Sequence, residues 1–571
     1  MEKRRPNIVF IITDDQGYGD LGCHHNSIIH TPNINKLYDE STRFTDYHVG
    51  PTCAPTRAGL MTGRYHNSTG VWHTIGGRSL LRKNEVSLAE LMRRNGYRTG
   101  IFGKWHLGDN YPYRPHDRGF EEAIVHGGGG IGQTPDYWGN DYFDDTYFDK
   151  GTPRKFEGYC TDVFFSLAKD FISRHRESPF FCYISTNAPH SPYQVEDKYA
   201  DLYRGQVPEE RARFYGMITN IDENVGKLRE WLQQEGLDED TIVIFMTDNG
   251  TSEGCSVDNR HVVIEGENAG MRGKKSSPYE GGHRVPFFLH SKSKGFVNGK
   301  DVTELCANID VLPTLADLCS LDIPDELDLD GVSLVRAMEG DGENLHNRII
   351  VTDSQRVPQP LKWKDSSTML AKWRLINGRE LYNIEEDPGQ SRDVAAEHPH
   401  IVDTLYKGYE TWWRRVSKQF DEEIPISIGS DQEPVTCITA HDWRGDGGDV
   451  AWNQGEIRSA KICNSYVEIE VEQAGMYSFE LRRWPHEENR YITEGIEGEL
   501  VGWFSGGKAV SVHKATLKIR DYEQSLPVSD SDAQVSFLVD LEIGPAHLQT
   551  WLEDEQGILR GAYYVYVRKV Q

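Results

Sequence analysis

The chain is 571 residues long, with 37% hydrophobic and 26% charged residues, and it contains no run of about 18 apolar residues of the kind that spans a bilayer. Its 89 acidic residues against 62 basic ones give a formal charge of −27, which argues against a broad nucleic-acid-binding surface and requires any anionic substrate to find a local basic pocket. At roughly 150 residues per domain the length allows about two to four domains, and nine cysteines without paired metal-ligand spacing leave the redox compartment open.

The sequence opens MEKRRPNIVF and enters a strand almost at once, with no apolar run and cleavage site of a secretory signal. That start fits a cytoplasmic protein or a secreted one whose signal has been removed. Apolar runs of strand length then end repeatedly in polar residues: Asn7–Thr13 in Asp14-Asp15, 99–103 in Lys104-Trp105-His106, 180–186 in His190, and 242–247 in Asp248-Asn249. Helical patterns lie between them, at 87–95 and along 209–235. Buried strands alternating with helices predict a mostly parallel sheet covered on both faces. Ligands gather beyond the carboxyl ends of such strands, where these polar residues fall. Any one of the segments reads equally well as a solvated loop or a helix cap, but four of them coinciding with strand ends point at one site.

The glycine run 126–130 (HGGGG), followed by Gln133, Asp136, Tyr137 and Trp138, admits two readings. It could let a ligand approach closely, its aromatic neighbours suiting sugar rings, or it could be a flexible surface loop. Further on, 347–352 and 373–382 are strand-like, and a helix of about 30 residues is expected to end near Phe420. From about Glu433 the chain becomes β-rich, with alternation at 466–471 and 476–481 and a strand-like end at 563–567, which predicts a β-sandwich. The expected division is a catalytic α/β domain over 1–345, an α+β subdomain over 346–428 and a β-rich accessory domain over 429–571. Two stretches, 353–362 and His441-Asp442-Trp443, could reach the rim of the site, with packing as the ordinary reading.

The most specific motif is Cys53-Ala54-Pro55-Thr56-Arg57, continuing to Thr62-Gly63-Arg64. It resembles the sulfatase signature C-x-P-S/T-R followed by T-G-R, which is read by the enzymes that convert its cysteine to formylglycine. Thr56 stands where that family more often has serine. Three further segments extend the resemblance: Gly103-Lys104-Trp105-His106-Leu107-Gly108, Ala188-Pro189-His190, and Gly273-Lys274-Lys275 with Tyr279-Glu280-Gly281-Gly282. The resemblance covers roughly residues 6–420. It implies the α/β alkaline-phosphatase-like fold, a mostly parallel sheet flanked by helices, completed by the small α+β subdomain and followed by the β-rich domain.

The resemblance also implies a chemistry. A hydrated aldehyde carries two hydroxyls on one carbon; one can attack sulfur, and deprotonating the other then expels sulfate. Asp14, Asp15, Asp248, Asn249 and modified Cys53 would hold a divalent metal, and oxygen ligands of this kind suit Ca²⁺ or Mg²⁺ better than zinc. Arg57 and Lys104 would hold the formylglycine hydroxyl and the charge beside the metal. His106 would deprotonate the second hydroxyl, and His190 would protonate the leaving alcohol. A lysine of the 274–275 pair would bind a sulfate oxygen; spacing to Glu280 favours Lys275, with Lys274 open. If a helix starts just after Cys53, its N-terminal amides would favour the anion.

The implied partners are a sulfated oligosaccharide or polysaccharide and a formylglycine-generating or anaerobic maturating enzyme, with no nucleic acid and no membrane span. The implied location is periplasmic or secreted. Two other functions share much of this pattern: a phosphonate monoester or phosphodiester hydrolase of the same superfamily, and a glycan-binding protein without turnover.

Overall fold

The computed structural model describes residues 5–445 and 449–570. Met1–Arg4, on which the reading of the chain's start partly rests, lie outside the described residues. Five parallel strands form the centre: β1 (Asn7–Thr13), β2 (Arg98–Gly103), β3 (Glu122–Val125), β4 (Phe180–Ser185) and β5 (Thr241–Thr247). Their order is β5-β1-β4-β2-β3. Further strands extend both margins to make a ten-stranded sheet: Thr146–Asp149 and Thr152–Lys155, antiparallel, beyond β3, and beyond β5 the antiparallel Phe287–His290, then Thr42–Phe44 and Asp301–Val302.

The sequence of β1, NIVFIIT, is buried throughout because both faces of the sheet are covered. Ile8, Phe10 and Ile12 pack in one core with Ala54, Ala58, Leu60 and Met61 of helix α1 (Cys53–Thr62). Val9 and Ile11 point the other way, into a core with Phe164 and Phe171 of α2 (Cys160–His175) and Ile221 and Val225 of α3 (Glu209–Gln234). Along α3 the buried residues Phe214, Met217, Ile218, Ile221, Val225, Leu228 and Leu232 recur every three or four positions, giving one long apolar stripe. Because the central strands are parallel, their carboxyl ends share one edge of the sheet. The register aligns Thr13 with Thr247, Ile12 with Ser185 and Gly103 with Ser185, so the polar residues that follow emerge side by side.

The region after this core differs from the expectation in two details. Residues 373–382 are not one strand; they form a hairpin of Trp373–Ile376 with Glu380–Asn383, turned at Asn377-Gly378, both with positive φ (51° and 68°). With Ile349–Asp353 and Ser366–Leu370 they make a four-stranded antiparallel sheet. The helix against it, α4 (Pro399–Val416), has 18 residues rather than about 30, because it begins at Pro399, where a missing N–H costs nothing.

Beyond it, six- and four-stranded sheets share one apolar core that includes Ile469, Phe479, Leu517, Phe537, Leu548 and Val567. The strand Ile426–Ile428, which precedes residue 429, already belongs here, pairing in parallel with Tyr466–Val471.

Candidate active site

The carboxyl edge of the sheet gathers the expected residues around Asp14 and Asp15. Asp15 has φ 65°, an uncommon backbone for a residue with a side chain, and its N–H donates to Asp248 Oδ1 at 3.0 Å. Lys104, following β2, donates to Asp14 Oδ2 at 2.7 Å, with both side chains fully buried. Arg57 on α1 forks onto Asp248 Oδ2 through Nε (3.2 Å) and Nη2 (2.8 Å), and its Nη1 reaches Ser185 Oγ at 2.5 Å. Lys275 donates to Asp15 Oδ2 at 2.7 Å, while Lys274 turns away to the Ser252 carbonyl at 3.1 Å. Of the lysine pair, therefore, Lys275 is the one at the site.

These contacts polarise the ionisation of the group. Burial raises the Asp15 carboxyl, but Lys275, His190 and Lys104 together outweigh it and hold the carboxyl well below its ordinary range. Burial lifts Asp14 well above its ordinary value, with Lys104 only partly opposing. Burial disfavours charge on Arg57 and Lys275, yet the surrounding acidic groups, led by Asp248 for Arg57 and by Asp15 for Lys275, together reverse this and keep both cationic. Three carboxylates (Asp14, Asp15, Asp248) thus face three cations (Arg57, Lys104, Lys275).

Cys53 is the first residue of α1, whose ten residues are all buried, and its Sγ lies 3.9 Å from Asp15 Oδ1. Burial pushes its thiol up to about 12, so the unmodified side chain is a protonated, weak nucleophile at neutral pH.

The two expected histidines are also here. His106 Nε2 lies 2.8 Å from the Thr74 carbonyl, which makes it the N–H donor and leaves Nδ1 as a buried lone pair without a hydrogen-bond partner. Burial and then Lys104 hold this ring well below its ordinary pKa, hence neutral. His190 Nε2 stands 3.7 Å from Asp15 Oδ2, and its Nδ1 is 2.5 Å from the Ser191 carbonyl. Burial takes His190 down to about 4, Asp15 pulling against Lys275 and Lys104.

The glycine run is not an exposed surface loop. Residues 127–130 are buried. A Cβ at Gly129 would sit 2.3 Å from the His106 ring, so glycine is what lets this segment pack beneath the imidazole. Gln133 accepts from the Gly129 N–H at 2.8 Å, and Asp136 accepts from Gly127 and Gly132 at 3.1 and 3.0 Å. The neighbouring aromatics join the C-terminal unit: Trp138 meets Trp484 edge-on at 5.3 Å, and Thr134 donates to the Ala451 carbonyl at 2.6 Å. A cavity of about 640 Å³ lies behind the run, with Tyr137, Lys150, His486 and Tyr566 in its wall, and no residue of the expected site lines it.

Three rim residues are reached from outside the motifs. His441, from the C-terminal unit, is buried, lies with its ring centroid 6.4 Å from that of His106, and has no hydrogen bond at either ring nitrogen. Its carbonyl accepts from Gly76 N–H at 2.8 Å, which fixes it beside the Thr74 loop. His73 Nε2 and Asn187 Nδ2 are likewise buried without partners. The only signal in the sequence was the His441-Asp442-Trp443 cluster; nothing marked His73 or Asn187. The 353–362 stretch divides: Asp353 is tied inward to His66 and Asn67 at 3.1 Å, whereas Arg356 lines a small cleft with His73.

The residues present fit a hard divalent cation. Asp14 Oδ1 and Asn249 Oδ1 are buried and accept no hydrogen bond, and one ligand atom each from Asp14, Asp15 and Cys53 lie within 4.8 Å of one another. Asn249 Nδ2 donates to Asp15 Oδ1 at 3.0 Å, which turns its own oxygen free. Oxygen donors predominate, as Ca²⁺ and Mg²⁺ prefer.

Comparison with known proteins identifies the family. The sulfatase family profile matches residues 6–321. Arylsulfatase J of Mus musculus is 30% identical over 350 residues, 58% of this chain and 55% of that protein. N-acetylgalactosamine-6-O-sulfatase of Bacteroides thetaiotaomicron is 27% identical over 497 residues, 70% of this chain and 92% of that protein. Among solved structures, Ps i-CgsB in complex with k-i-k-neocarrahexaose superposes with a TM-score of 0.64 at 27% identity, covering 73% of this chain and 98% of that one. The phosphonate monoester hydrolase of Agrobacterium radiobacter shares the fold, with a TM-score of 0.51 at 21% identity.

Proposed function

The chain belongs to the sulfatase family, and on that premise we propose that it hydrolyses sulfate esters of a carbohydrate, with Cys53 converted to formylglycine and Ca²⁺ or Mg²⁺ held by Asp14, Asp15, Asp248, Asn249 and the modified Cys53. The observation that carries this reading is the balanced floor beneath Cys53, three carboxylates matched by Arg57, Lys104 and Lys275. With side-chain charges already cancelled, the charge of a bound cation is left over for an anion.

Each residue then has work that its surroundings permit. When bound, the divalent cation supplies Lewis-acid polarisation and charge neutralisation. The hydrated aldehyde supplies the two hydroxyls, one to attack and one to be deprotonated. Arg57 and Lys104 hold the acidic residues in place and oppose negative charge at the head of α1. Lys275, kept cationic by Asp15, is available to a sulfate oxygen. His106, neutral and with Nδ1 unoccupied, takes the proton whose loss expels sulfate. His190 is neutral in the free pocket; the negative charge of an incoming ester offsets Lys275 and Lys104, favours its protonated form and lets it donate to the leaving oxygen.

The carbohydrate assignment is supported by two similar proteins, one named for N-acetylgalactosamine and one solved with a neocarrahexaose. His73 Nε2, His441 Nε2 and Asn187 Nδ2, which have no hydrogen-bond partner, offer polar contacts for sugar hydroxyls. The proposal includes a maturating enzyme as partner, a periplasmic or secreted location, and the division of the chain into catalytic, α+β and β-rich parts.

The test is turnover of matched aryl sulfate, phosphate diester and phosphonate monoester by one preparation of the mature protein. A preference for the sulfate supports the proposal, and a preference of several orders for either phosphorus ester overturns it.

A further inference from the structure

A second cluster of buried ionisable groups lies beside the pocket, where the segment before Cys53 crosses the segment after Lys275. His48, Glu280, His283 and Arg374 are at most 1% exposed and Asp46 is 8% exposed. His48 Nε2 lies 2.8 Å from Asp46 Oδ1, His48 Nδ1 lies 2.8 Å from His283 Nδ1, and His283 Nε2 lies 3.0 Å from the Pro278 carbonyl. The two ends of this chain, a carboxylate and a carbonyl, only accept. Its three hydrogen bonds therefore need three N–H groups, because Arg374 Nη2, 3.4 Å from His48 Nε2, cannot supply the proton of the 2.8 Å contact between that nitrogen and Asp46, and two neutral imidazoles carry one each.

A separate count of charge agrees. Asp46 and Glu280 bring two negative charges, and Arg374 brings one positive charge, donating to Glu280 Oε1 at 2.7 Å and Asp46 Oδ1 at 2.6 Å. One further positive charge closes the buried group. Arg284 stands at the solvent edge, 3.6 Å from Glu280 Oε2, with its side chain 20% exposed and its Nε given to the Thr45 carbonyl.

We propose that His48 and His283 form a buried imidazole–imidazolium pair that holds one shared proton at neutral pH and acts as a positioning device for the catalytic segments. The backbone pairs that it pins are Val49 N–H to the His283 carbonyl (2.9 Å), Val285 N–H to the Tyr47 carbonyl (3.0 Å), Ser276 N–H to the Pro51 carbonyl (2.9 Å) and Gly250 N–H to the Gly282 carbonyl (3.0 Å). They lock together the three segments that carry Cys53, Asn249 and Lys275.

Burial and the neighbouring His48 hold His283 down to about 3. One ring nitrogen of each histidine and a Glu280 oxygen also fall within 4.8 Å of one another, and Glu280 Oε2 accepts no hydrogen bond, so a metal is the rival occupant. A proton fits better: a closed structural site wants four ligands where the group has three, Arg374 already faces the carboxylate, and the charge count over the fully buried side chains asks for one positive charge rather than two.

The experiment uses the full chain labelled with ¹⁵N-histidine, together with His48→Asn and the double variant Asp46→Asn/His48→Asn. The expected spectrum at neutral pH contains a ring protonated on both nitrogens that vanishes in His48→Asn. The asparagine side chain retains a donor without the charge, so His48→Asn should lower the unfolding midpoint by several degrees and kcat/KM about tenfold. The double variant, which restores neutrality, should recover most of both; a role in shape alone would show no such rescue. The kcat/KM readout rests on the sulfatase reading, whereas the spectrum and the midpoint do not, so failure of one is distinguishable from failure of the other. Two neutral rings, a His48→Asn midpoint equal to that of the parent, or one equivalent of metal per chain lost with His48→Asn would each overturn the proposal.

Discussion

Two buried clusters of acids and bases lie within a few residues of each other along the chain, and they reach electrical balance differently. Around Asp14, Asp15 and Asp248 the cations Arg57, Lys104 and Lys275 match the carboxylates, yet Asp14 Oδ1 and Asn249 Oδ1 accept nothing. Around Asp46 and Glu280 the single Arg374 leaves a deficit that a proton between His48 and His283 makes good. The first cluster is neutral with oxygen lone pairs to spare and gains positive charge when it takes a cation, as an anionic substrate requires. The second is tied together by its own hydrogen bonds, with only Glu280 Oε2 accepting none. Balance with open ligand positions marks a site of chemistry, and balance by internal proton sharing marks a support.

Removing divalent metal should separate the clusters most sharply. Chelation followed by desalting is expected to cut turnover by about 10³-fold, in line with the several kcal/mol that such an ion supplies, with recovery on adding Ca²⁺ or Mg²⁺. The His48–His283 signature should be untouched, and its loss on chelation would break the distinction. Within the first cluster, His190→Ala should slow a sugar sulfate by about 10²–10³-fold and an activated aryl sulfate far less, because only the former leaves as a strongly basic oxygen. Equal losses, measured as kcat for both substrates, would remove His190 from the acid role.

In the second cluster, Glu280→Gln leaves Arg374 partly unmatched and should cost about 3 kcal/mol of stability, read from denaturant unfolding. The pH dependence has a definite sign. Burial raises Glu280, but Arg374 with His48, His283 and Arg284 outweighs it and brings it down to about 2 from an ordinary 4.5. The contribution of its charge to stability is therefore whole above pH 4.5 and is lost as pH falls toward 2. The acid limb of the stability profile should flatten in Glu280→Gln, and an unchanged limb would contradict the assignment. The smallest effect belongs to the rim, outside both clusters: His441→Ala should raise KM for sulfated sugars by about three- to tenfold, the worth of one neutral hydrogen bond, and leave aryl sulfates alone.

The chemistry at the strand ends was legible because parallel strands bring their carboxyl ends to one edge and because the polar residues there follow unbroken apolar runs. The turn at Asn377-Gly378 was legible too, a strong hairpin signal, but the apolar residues on either side made 373–382 look continuous. Likewise Pro399 marks where α4 begins, although helix-compatible residues precede it. The rest depends on partners remote in sequence. The glycine run is buried because His106 and the C-terminal unit cover it, and His441 matters because Gly76 holds it against His106. His48 and His283 are two ordinary histidines until the fold sets them 2.8 Å apart. Local pattern carries no information of that kind.

The central claim is that the working nucleophile is made from Cys53, whose thiol burial keeps protonated. The most direct measurement pairs mass spectrometry of the peptide containing Cys53 with the rate of inorganic sulfate release, across preparations matured to different extents. The account predicts a rate proportional to the formylglycine fraction, passing through zero with unmodified thiol and absent in Cys53→Ala. Sulfate release by protein whose Cys53 is entirely unmodified would contradict it.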